Sequence, residues 1–346
     1  MLATDPNPVP NPAASARPEL AILIAARDEE AVIVDCLQAI SRLQYPAGTL
    51  TVLVGNDQSS DQTAALVQSF TARPLTLELI NIDASVAGLR GKANVLAQLA
   101  RHSMADRLFF TDADTQVPPG WLEGMSQAFA GSVGIVTGVT LPDGPRLFHK
   151  LQTIDWLYNL TLTHWLSYAG LPVTAMGNNM AVSREAYEAV GGYEGLPFSV
   201  AEDFALFQAI VKKGFDFRNL LDDRVLATTK PVGTLRDFLH QRKRWMRGAS
   251  ALPGWMVALL YAQYLTLPLL GLLFWLSPGV AVGLYITRLF VQTAVLSFGL
   301  SRLRRTHLWP YTLLFDVYQL LIGPLSVVFY WLPTRINWKN RFYDAY

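Results

Sequence analysis

Asp106-Arg107-Leu108-Phe109-Phe110-Thr111-Asp112-Ala113-Asp114-Thr115-Gln116-Val117-Pro118 is the stretch from which the fold can be read. Leu108, Phe109 and Phe110 form a short apolar run that reads as a buried strand. Two carboxylates in D-x-D spacing follow at once, before Pro118 and Pro119 close the segment. Asp112 and Asp114 are therefore expected at a strand's carboxyl end. In open α/β sheets ligands bind there, and two such carboxylates can share a hard divalent cation that in turn carries phosphates. A D-x-D taken alone reads equally well as a solvated acidic turn.

Upstream, the same unit repeats. Leu20–Ala25 is an all-apolar run, followed by the charged cluster Arg27-Asp28-Glu29-Glu30 and a helical pattern through Val32, Cys36, Leu37 and Ile40. Thr51–Gly55 is a second strand, ending in Asn56-Asp57-Gln58-Ser59-Ser60-Asp61-Gln62-Thr63 before a helix from about Ala64 to Phe70. A third strand, Leu75–Ile82, leads through Gly88-Leu89-Arg90-Gly91-Lys92 to a helix over Ala93–Arg101. Alternation at this spacing predicts a doubly wound, mostly parallel sheet with helices on both faces. Right-handed crossovers open all four strand ends on one edge, so Asp28, Asp57, Lys92, Asp112 and Asp114 are expected to converge on a single crevice.

Downstream the pattern is less regular. Ser132–Val139 reads as one further strand, and Arg146–Ala169 as an aromatic-rich helix with Trp156, Tyr158, Trp165 and Tyr168, either buried in the domain or lying in a membrane interface. Ala201-Glu202-Asp203-Phe204 opens an amphipathic helix that ends by Gly214. Negative charge is favoured in a helix's first turn, so capping alone accounts for Glu202 and Asp203 in the absence of other motifs.

At 346 residues, 51% hydrophobic and 16% charged, with mean hydropathy +0.24, the chain is more apolar than a soluble domain. A formal net charge of +1 and the absence of a basic stripe argue against nucleic-acid binding. The single cysteine, Cys36, excludes an intrachain disulfide and any cysteine-based zinc site; with Leu37 and Ile40 at helical spacing it reads as a core residue. The five histidines show no metal-ligand spacing. Residues 1–18, rich in Pro, Ala and Asn, read as a disordered lead without a signal-peptide core.

The apolar excess lies in residues 251–333. Trp255–Leu276 and Val280–Leu300 are each long enough to cross a hydrocarbon core of about 30 Å. Arg288 is the only formal charge in the pair. Gln241-Arg242-Lys243-Arg244 and Arg302-Leu303-Arg304-Arg305 flank them, which places the N-terminal domain and the Arg302 loop on the cytoplasmic side. A third run, Leu308–Leu332, holds Asp316, Gln319 and Gly323-Pro324. Were it to span, the basic tail (residues 334–346) would end outside, so either this run is re-entrant, broken at Gly323-Pro324, or an earlier one does not fully span. Arg288 and Asp316 are costly in lipid and are expected to face protein or a polar cavity, mutual pairing being one such arrangement.

Five separated pieces then fall into one order: Ile24-Ala25-Ala26-Arg27-Asp28-Glu29-Glu30, Gly55-Asn56-Asp57 with the loop to Thr63, Gly91-Lys92-Ala93-Asn94, Thr111-Asp112-Ala113-Asp114, and Glu202-Asp203 followed by Gln241-Arg242-Lys243-Arg244-Trp245. Over residues 19–250 this set resembles the family-2 glycosyltransferases, inverting enzymes of the GT-A fold. With membrane helices downstream it is similar to the branch holding ceramide glucosyltransferases, hydroxycarotenoid glucosyltransferases and polysaccharide synthases. The ending Trp338-Lys339-Asn340-Arg341-Phe342-Tyr343 is similar to that of some lipid-directed members.

The resemblance implies an integral membrane hexosyltransferase with a cytoplasmic catalytic domain, in a bacterial inner membrane, moving a sugar from a UDP-sugar to a lipid hydroxyl. It implies that Ala26, Arg27, Glu29, Asp57 and Lys92 hold the nucleotide; Asn56 stands where an Asp is common. By the same resemblance Asp112 and Asp114 bind Mg²⁺ or Mn²⁺ on the diphosphate, Asp112 also touching the nucleotide-sugar. Asp203 is the general base, assisted by Glu202, and Gln241, Arg244 and Trp245 close the site. Arg242–Arg247 also read as a juxtamembrane anchor for anionic head groups. The rival readings are a processive polysaccharide synthase or a polyprenyl-phosphate glycosyltransferase within the family, and a nucleotidyltransferase or a catalytically silent membrane binding module outside it. A nucleotidyltransferase leaves Glu202-Asp203 and Gln-x-x-Arg-Trp unexplained.

Overall fold

The computed structural model describes residues 18–45, 50–71, 76–197, 199, 201–250, 252–334, 336–338 and 341–343. The N-terminal lead therefore lies outside the described residues, apart from Pro18. The first half follows the expected alternation: β1 (Leu20–Ala26), α1 (Ile33–Ser41), β2 (Leu50–Asn56), α2 (Thr63–Ser69), β3 (Thr76–Asn81), α3 (Gly91–His102) and β4 (Arg107–Asp112). Successive β1 side chains enter opposite cores. Leu20, Ile22 and Ile24 pack with Ile33, Cys36, Leu37 and Ile40 of α1. Ala21 and Leu23 pack with Val95, Leu96 and Leu99 of α3. A strand covered on both faces has no polar side, which is why its sequence is apolar throughout.

Next come β5 (Thr115–Gln116), α4 (Trp121–Ser126), β6 (Val133–Thr137), β7 (Val139–Pro142), α5 (Leu147–Tyr168), β8 (Asn179–Ser183), α6 (Arg184–Ala189), α7 (Glu202–Lys212), β9 (Asp216–Asn219) and β10 (Leu226–Thr229). The main sheet has the order β3-β2-β1-β4-β8-β6-β9, and a small second sheet has the order β5-β10-β7. The chain winds outward through β2 and β3, then returns to place β4 on the other side of β1. This order reversal creates a switch point between the carboxyl ends of β1 and β4, where Ala25 lies opposite Asp112.

The structure differs from the sequence reading in two places here. Strand β8 runs antiparallel to β4, with Thr111 opposite Asn179, so its leading residues Gly177 and Asn178 start at the D-x-D edge. The run 132–139 is two strands, not one, divided at Gly138. The Gly138 N–H donates to the Asn179 carbonyl, and the Asn179 amide fills the space a Cβ on Gly138 would need. Asn179 is fully buried. Its side chain accepts from Trp121 Nε1 at 2.8 Å and donates to the Val139 and Val225 carbonyls at 2.9 Å each.

The remaining helices are α8 (Leu235–Ala249), α9 (Gly254–Tyr264), α10 (Thr266–Leu276), α11 (Pro278–Arg302) and α12 (Trp309–Trp331), followed by a hairpin of β11 (Ile336–Trp338) and β12 (Arg341–Tyr343). Helix α11 and the helical stretch 306–331 are long and apolar enough to cross a membrane. Helix α12 continues through Gly323-Pro324, so of the two alternatives the break there is absent. The first hydrophobic run is the bent one: α9 and α10 meet at 76°. Gly323 seats this bend, since a Cβ there would collide with the Tyr264 carbonyl. Two or three spans follow by length and composition. Leu296, Leu300, Phe315 and Tyr318 belong to the same core cluster as α1 and β1. Helix α5 lies between the sheet strands β7 and β9 and the helices α11 and α12, with Asp155, Trp156 and Leu157 buried and Tyr168 exposed.

Of the arrangements open to them, Arg288 and Asp316 adopt the mutual pair. Arg288 Nη2 also donates to Gln319 Oε1 at 2.7 Å, and the Tyr285 hydroxyl donates to Asp316 Oδ2 at 2.6 Å. Asp316 is buried and Arg288 partly so, and breaking the pair from the Arg288 side leaves the Asp316 charge uncompensated. Arg288→Leu is therefore expected to cost about 3–5 kcal/mol, and Arg288→Leu with Asp316→Leu far less. Thermal unfolding of the two variants in detergent checks this ordering.

Candidate active site

The ends of β1 and β2 are laced together by their loops. Asp57 N–H donates to the Ala26 carbonyl at 2.9 Å. Arg27 Nη1 donates to the Asp57 carbonyl at 2.8 Å and lies 3.9 Å from its carboxylate. Glu29 N–H donates to Thr63 Oγ1, Glu30 N–H to Asp61, and Gln62 N–H to the Glu30 carboxylate. Asp28 takes a left-handed φ of 51° and accepts from Ser60 N–H. The carboxylates of Asp28, Glu30 and Asp61 are thus spent on loop geometry, and Asp28 contributes no surface to the main cavity.

That cavity, of about 750 Å³, opens at the switch point. Glu29, Lys92, Asp112, Asp114, Glu202, Asp203, Gln241, Arg244 and Trp245 all line it; Ala26, Arg27 and Asp57 do not, and stand beside it along the same sheet edge. Of the five groups expected in one crevice, Lys92, Asp112 and Asp114 meet there.

Lys92, in the first turn of α3, joins the two acidic clusters. Its Nζ is 2.5 Å from Asp112 Oδ1 and 3.2 Å from Glu202 Oε1. Burial works to lower the ammonium's pKa, but the Asp112, Glu202 and Asp203 carboxylates outweigh it and hold Lys92 well above the ordinary lysine range. Burial pushes the Glu202 carboxyl up, with Lys92 opposing and Asp203 adding to the shift. Residues 20 and 110 positions beyond Lys92 are so gathered into one ion cluster.

Asp203 lies in the first turn of α7. Its Oδ2 accepts from Gly177 N–H and its Oδ1 from Phe204 N–H, both at 2.8 Å. A Cβ on Gly177 would stand 2.5 Å from Asp203 Oδ2, so only glycine lets the chain before β8 approach the carboxylate this closely. Each carboxylate oxygen has a second lone pair, leaving Asp203 able to accept from a ligand hydroxyl. The signal for Gly177 in the sequence is weak: Gly-Asn-Asn before an apolar run marks a turn, and says nothing about Asp203.

Asp112 and Asp114 face the same cavity, with the Asp112 side chain 37% exposed. Among the described residues no three His, Cys, Asp or Glu side chains form a cage. Two carboxylates completed by phosphate oxygens and water are nevertheless a donor set that magnesium and manganese accept, and the residues present fit such an ion.

Helix α8 uses its basic run on every face. Gln241, Arg244 and Trp245 turn to the cavity. Arg242 is buried and paired with Asp155 of α5. Lys243 is buried and donates to the Leu332 carbonyl at 2.6 Å and to Thr334 Oγ1 at 3.0 Å, tying α8 to the end of α12. A head-group anchor over Arg242–Arg247 is therefore corrected: two of its basic residues point inward, and Arg247 is the exposed one.

From Asp112 the cavity runs past Trp156 and Trp245 to Leu160, Leu252, Met256 and Leu260, so its far wall is built by α5 and α9. The model for glycosyl transferase family 21 matches residues 8–346. The chain belongs to glycosyl transferase family 21. Among the relatives of this family 21 chain is the probable glycosyltransferase YdaM of Bacillus subtilis, 28% identical over 67% of the chain and 55% of the relative. The beta-monoglucosyldiacylglycerol synthase of Synechocystis is 24% identical over 67% and 48%. The 4,4'-diaponeurosporenoate glycosyltransferase of Staphylococcus aureus is 27% identical over 55% and 50%. The chain spans about half the length of these curated relatives. The mannosyltransferase PcManGT of Pyrobaculum calidifontis, solved with GDP-mannose and Mn²⁺, superposes with a TM-score of 0.57 at 22% identity, covering 90% of this chain and 86% of that one, and shows the shared fold. Family 21 agrees with the resemblance to glycosyltransferases of the ceramide-glucosyltransferase branch carried by the ordered motifs.

Proposed function

We propose that this family 21 protein is an inverting glycosyltransferase that moves a sugar from a UDP-sugar to the hydroxyl of a membrane lipid. The observation that carries the reading is the single cavity with two unlike ends: an ion cluster of Lys92, Asp112, Asp114, Glu202 and Asp203, and an apolar wall of α5 and α9 beside the membrane helices. A diphosphate-linked sugar suits the first end and a lipid alcohol the second. The relatives' names, a glucosyldiacylglycerol synthase and a carotenoid-acid glycosyltransferase, support a lipid-related acceptor.

In this mechanism Arg27 and Asp57 hold the nucleoside at the edge of the sheet, and Lys92 and Arg244 present positive charge to the diphosphate. Asp112 and Asp114 would hold a divalent cation, which when bound would supply Lewis-acid stabilisation of the leaving diphosphate. Asp203 accepts the proton of the acceptor hydroxyl as its oxygen forms a bond to the anomeric carbon; the bond from that carbon to the phosphate oxygen breaks, and UDP leaves with the electron pair. One displacement inverts the anomeric centre. Glu202, held by Lys92, keeps the ammonium between the two acidic clusters.

Release of UDP from a panel of UDP-sugars by the purified full chain, in bilayers with and without EDTA, tests the reading. Turnover of at least one donor that stops on chelation is expected. A chain that binds UDP-sugars yet turns none over under any metal condition is instead a silent binding module.

A further inference from the structure

Asp155 sits in the middle of α5, buried, 87 residues before its partner Arg242. Its Oδ2 takes the Arg242 guanidinium and its Oδ1 accepts from Asn159 Nδ2 at 3.1 Å. Arg242 is equally buried, and its guanidinium carbon lies 4.7 Å from the ring centres of both Phe238 and Trp245. Phe238, Arg242 and Trp245 are spaced i, i+4 and i+7, so they share one face of α8 and the cation is clasped between two rings. Trp245 in turn packs edge-on to Trp156, the residue after Asp155, at 5.0 Å between centres. Trp156, Arg242 and Trp245 all reach the cavity. The catalytic scheme above uses neither Asp155 nor Arg242, yet a buried ion pair costs desolvation that an apolar pair would not.

We propose that Asp155 and Arg242 are positioning residues for the transfer reaction: their ion pair fixes the Trp245 indole on the cavity wall, between the sugar-bearing end and the lipid-bearing end. The inference rests on the glycosyltransferase reading and adds residues to it. Arg242 is suited to the task because a planar guanidinium can pair with a carboxylate at its edge while stacking on rings with its faces, which an ammonium cannot. Asp155 thereby holds the face of α8 that carries Phe238, Arg242 and Trp245 against α5.

The test compares two products of the same assay, sugar transferred to lipid and UDP released by hydrolysis without transfer. Displacing a group that orients the acceptor lowers the first relative to the second. For Arg242→Lys and for Asp155→Asn the ratio of transfer to hydrolysis is expected to fall about tenfold or more, with KM for the UDP-sugar unchanged. Trp245→Ala is expected to show the same fall, and Arg242→Lys added to Trp245→Ala no further fall, since both act through one ring. Should a single variant fail to fold, Asp155→Leu with Arg242→Leu removes both charges together and keeps the packing; the ratio is expected to fall there too. Transfer and hydrolysis declining in step, multiplicative effects in the double variant, or a wild-type ratio in the Leu–Leu variant would each overturn the proposal. A wild-type chain that hydrolyses UDP-sugar and glycosylates no lipid would instead remove the glycolipid reading beneath it.

Discussion

Asp203→Asn is expected to lower the rate of sugar transfer by about 10²–10⁴-fold, the range over which a positioned general base contributes. The substitution is nearly isosteric. An amide oxygen can still accept from Gly177 N–H or Phe204 N–H, the two bonds that now orient the carboxylate, so α7 and the chain before β8 should keep their places. What is lost is the ability to take a proton. Nucleotide affinity is expected to survive, because the groups assigned to UDP lie at the ends of β1, β2 and β4 and on α3 and α8, and Asp203 on α7 is not among them. Transfer rates and calorimetric UDP binding, measured on the same preparation, check both halves. Equal losses of rate and of nucleotide affinity would contradict the division of labour between Asp203 and the D-x-D.

Asp114→Asn should behave in the opposite manner. With one of two carboxylates removed, metal affinity is expected to fall by at least the 10–100-fold seen when only a supporting group around a metal is lost, roughly. UDP binding should fall with it in the presence of Mn²⁺, and wild type and variant should converge in EDTA. Asp112→Asn is less clean, since it also frees Lys92 from its 2.5 Å contact. Calorimetric titration of UDP with and without Mn²⁺ distinguishes a metal-mediated loss from a general one. A variant whose UDP affinity is unchanged under both conditions would take Asp114 out of the metal site.

Strands β1, β2 and β4 could be read from the chain because burial on both faces leaves no polar residue to interrupt the run, and the chemistry follows each run at once. Asp112, Asp114, Lys92, Glu202 and Asp203 could be placed on one edge by the alternation of strands and helices together with the family motifs. Less was visible where a contact spans distant segments. Gly138 looks like any residue of an apolar strand until Asn179 is set against it. The bend after Tyr264 has a local signal in Pro268, which has no N–H to donate to the Tyr264 carbonyl four residues before it, but Gly323, which accommodates that carbonyl, is 59 residues away. Arg242 and Lys243 carry the same charge as Arg247, so their inward direction depends on Asp155 and on the end of α12, which no local pattern reveals. The trace that did exist was the Phe238, Arg242, Trp245 spacing, a cation set within an aromatic stripe.

The central claim is that one cavity brings a nucleotide-sugar to a membrane lipid. Its most direct measurement uses the purified full chain in bilayers of defined lipid, a radiolabelled UDP-sugar and Mn²⁺, followed by partition of the product between organic and aqueous phases. Label in the organic phase, lost in Asp203→Asn and on chelation, is the predicted result. Label that stays aqueous as a growing polymer, or sugar released only as the free hexose, would contradict it.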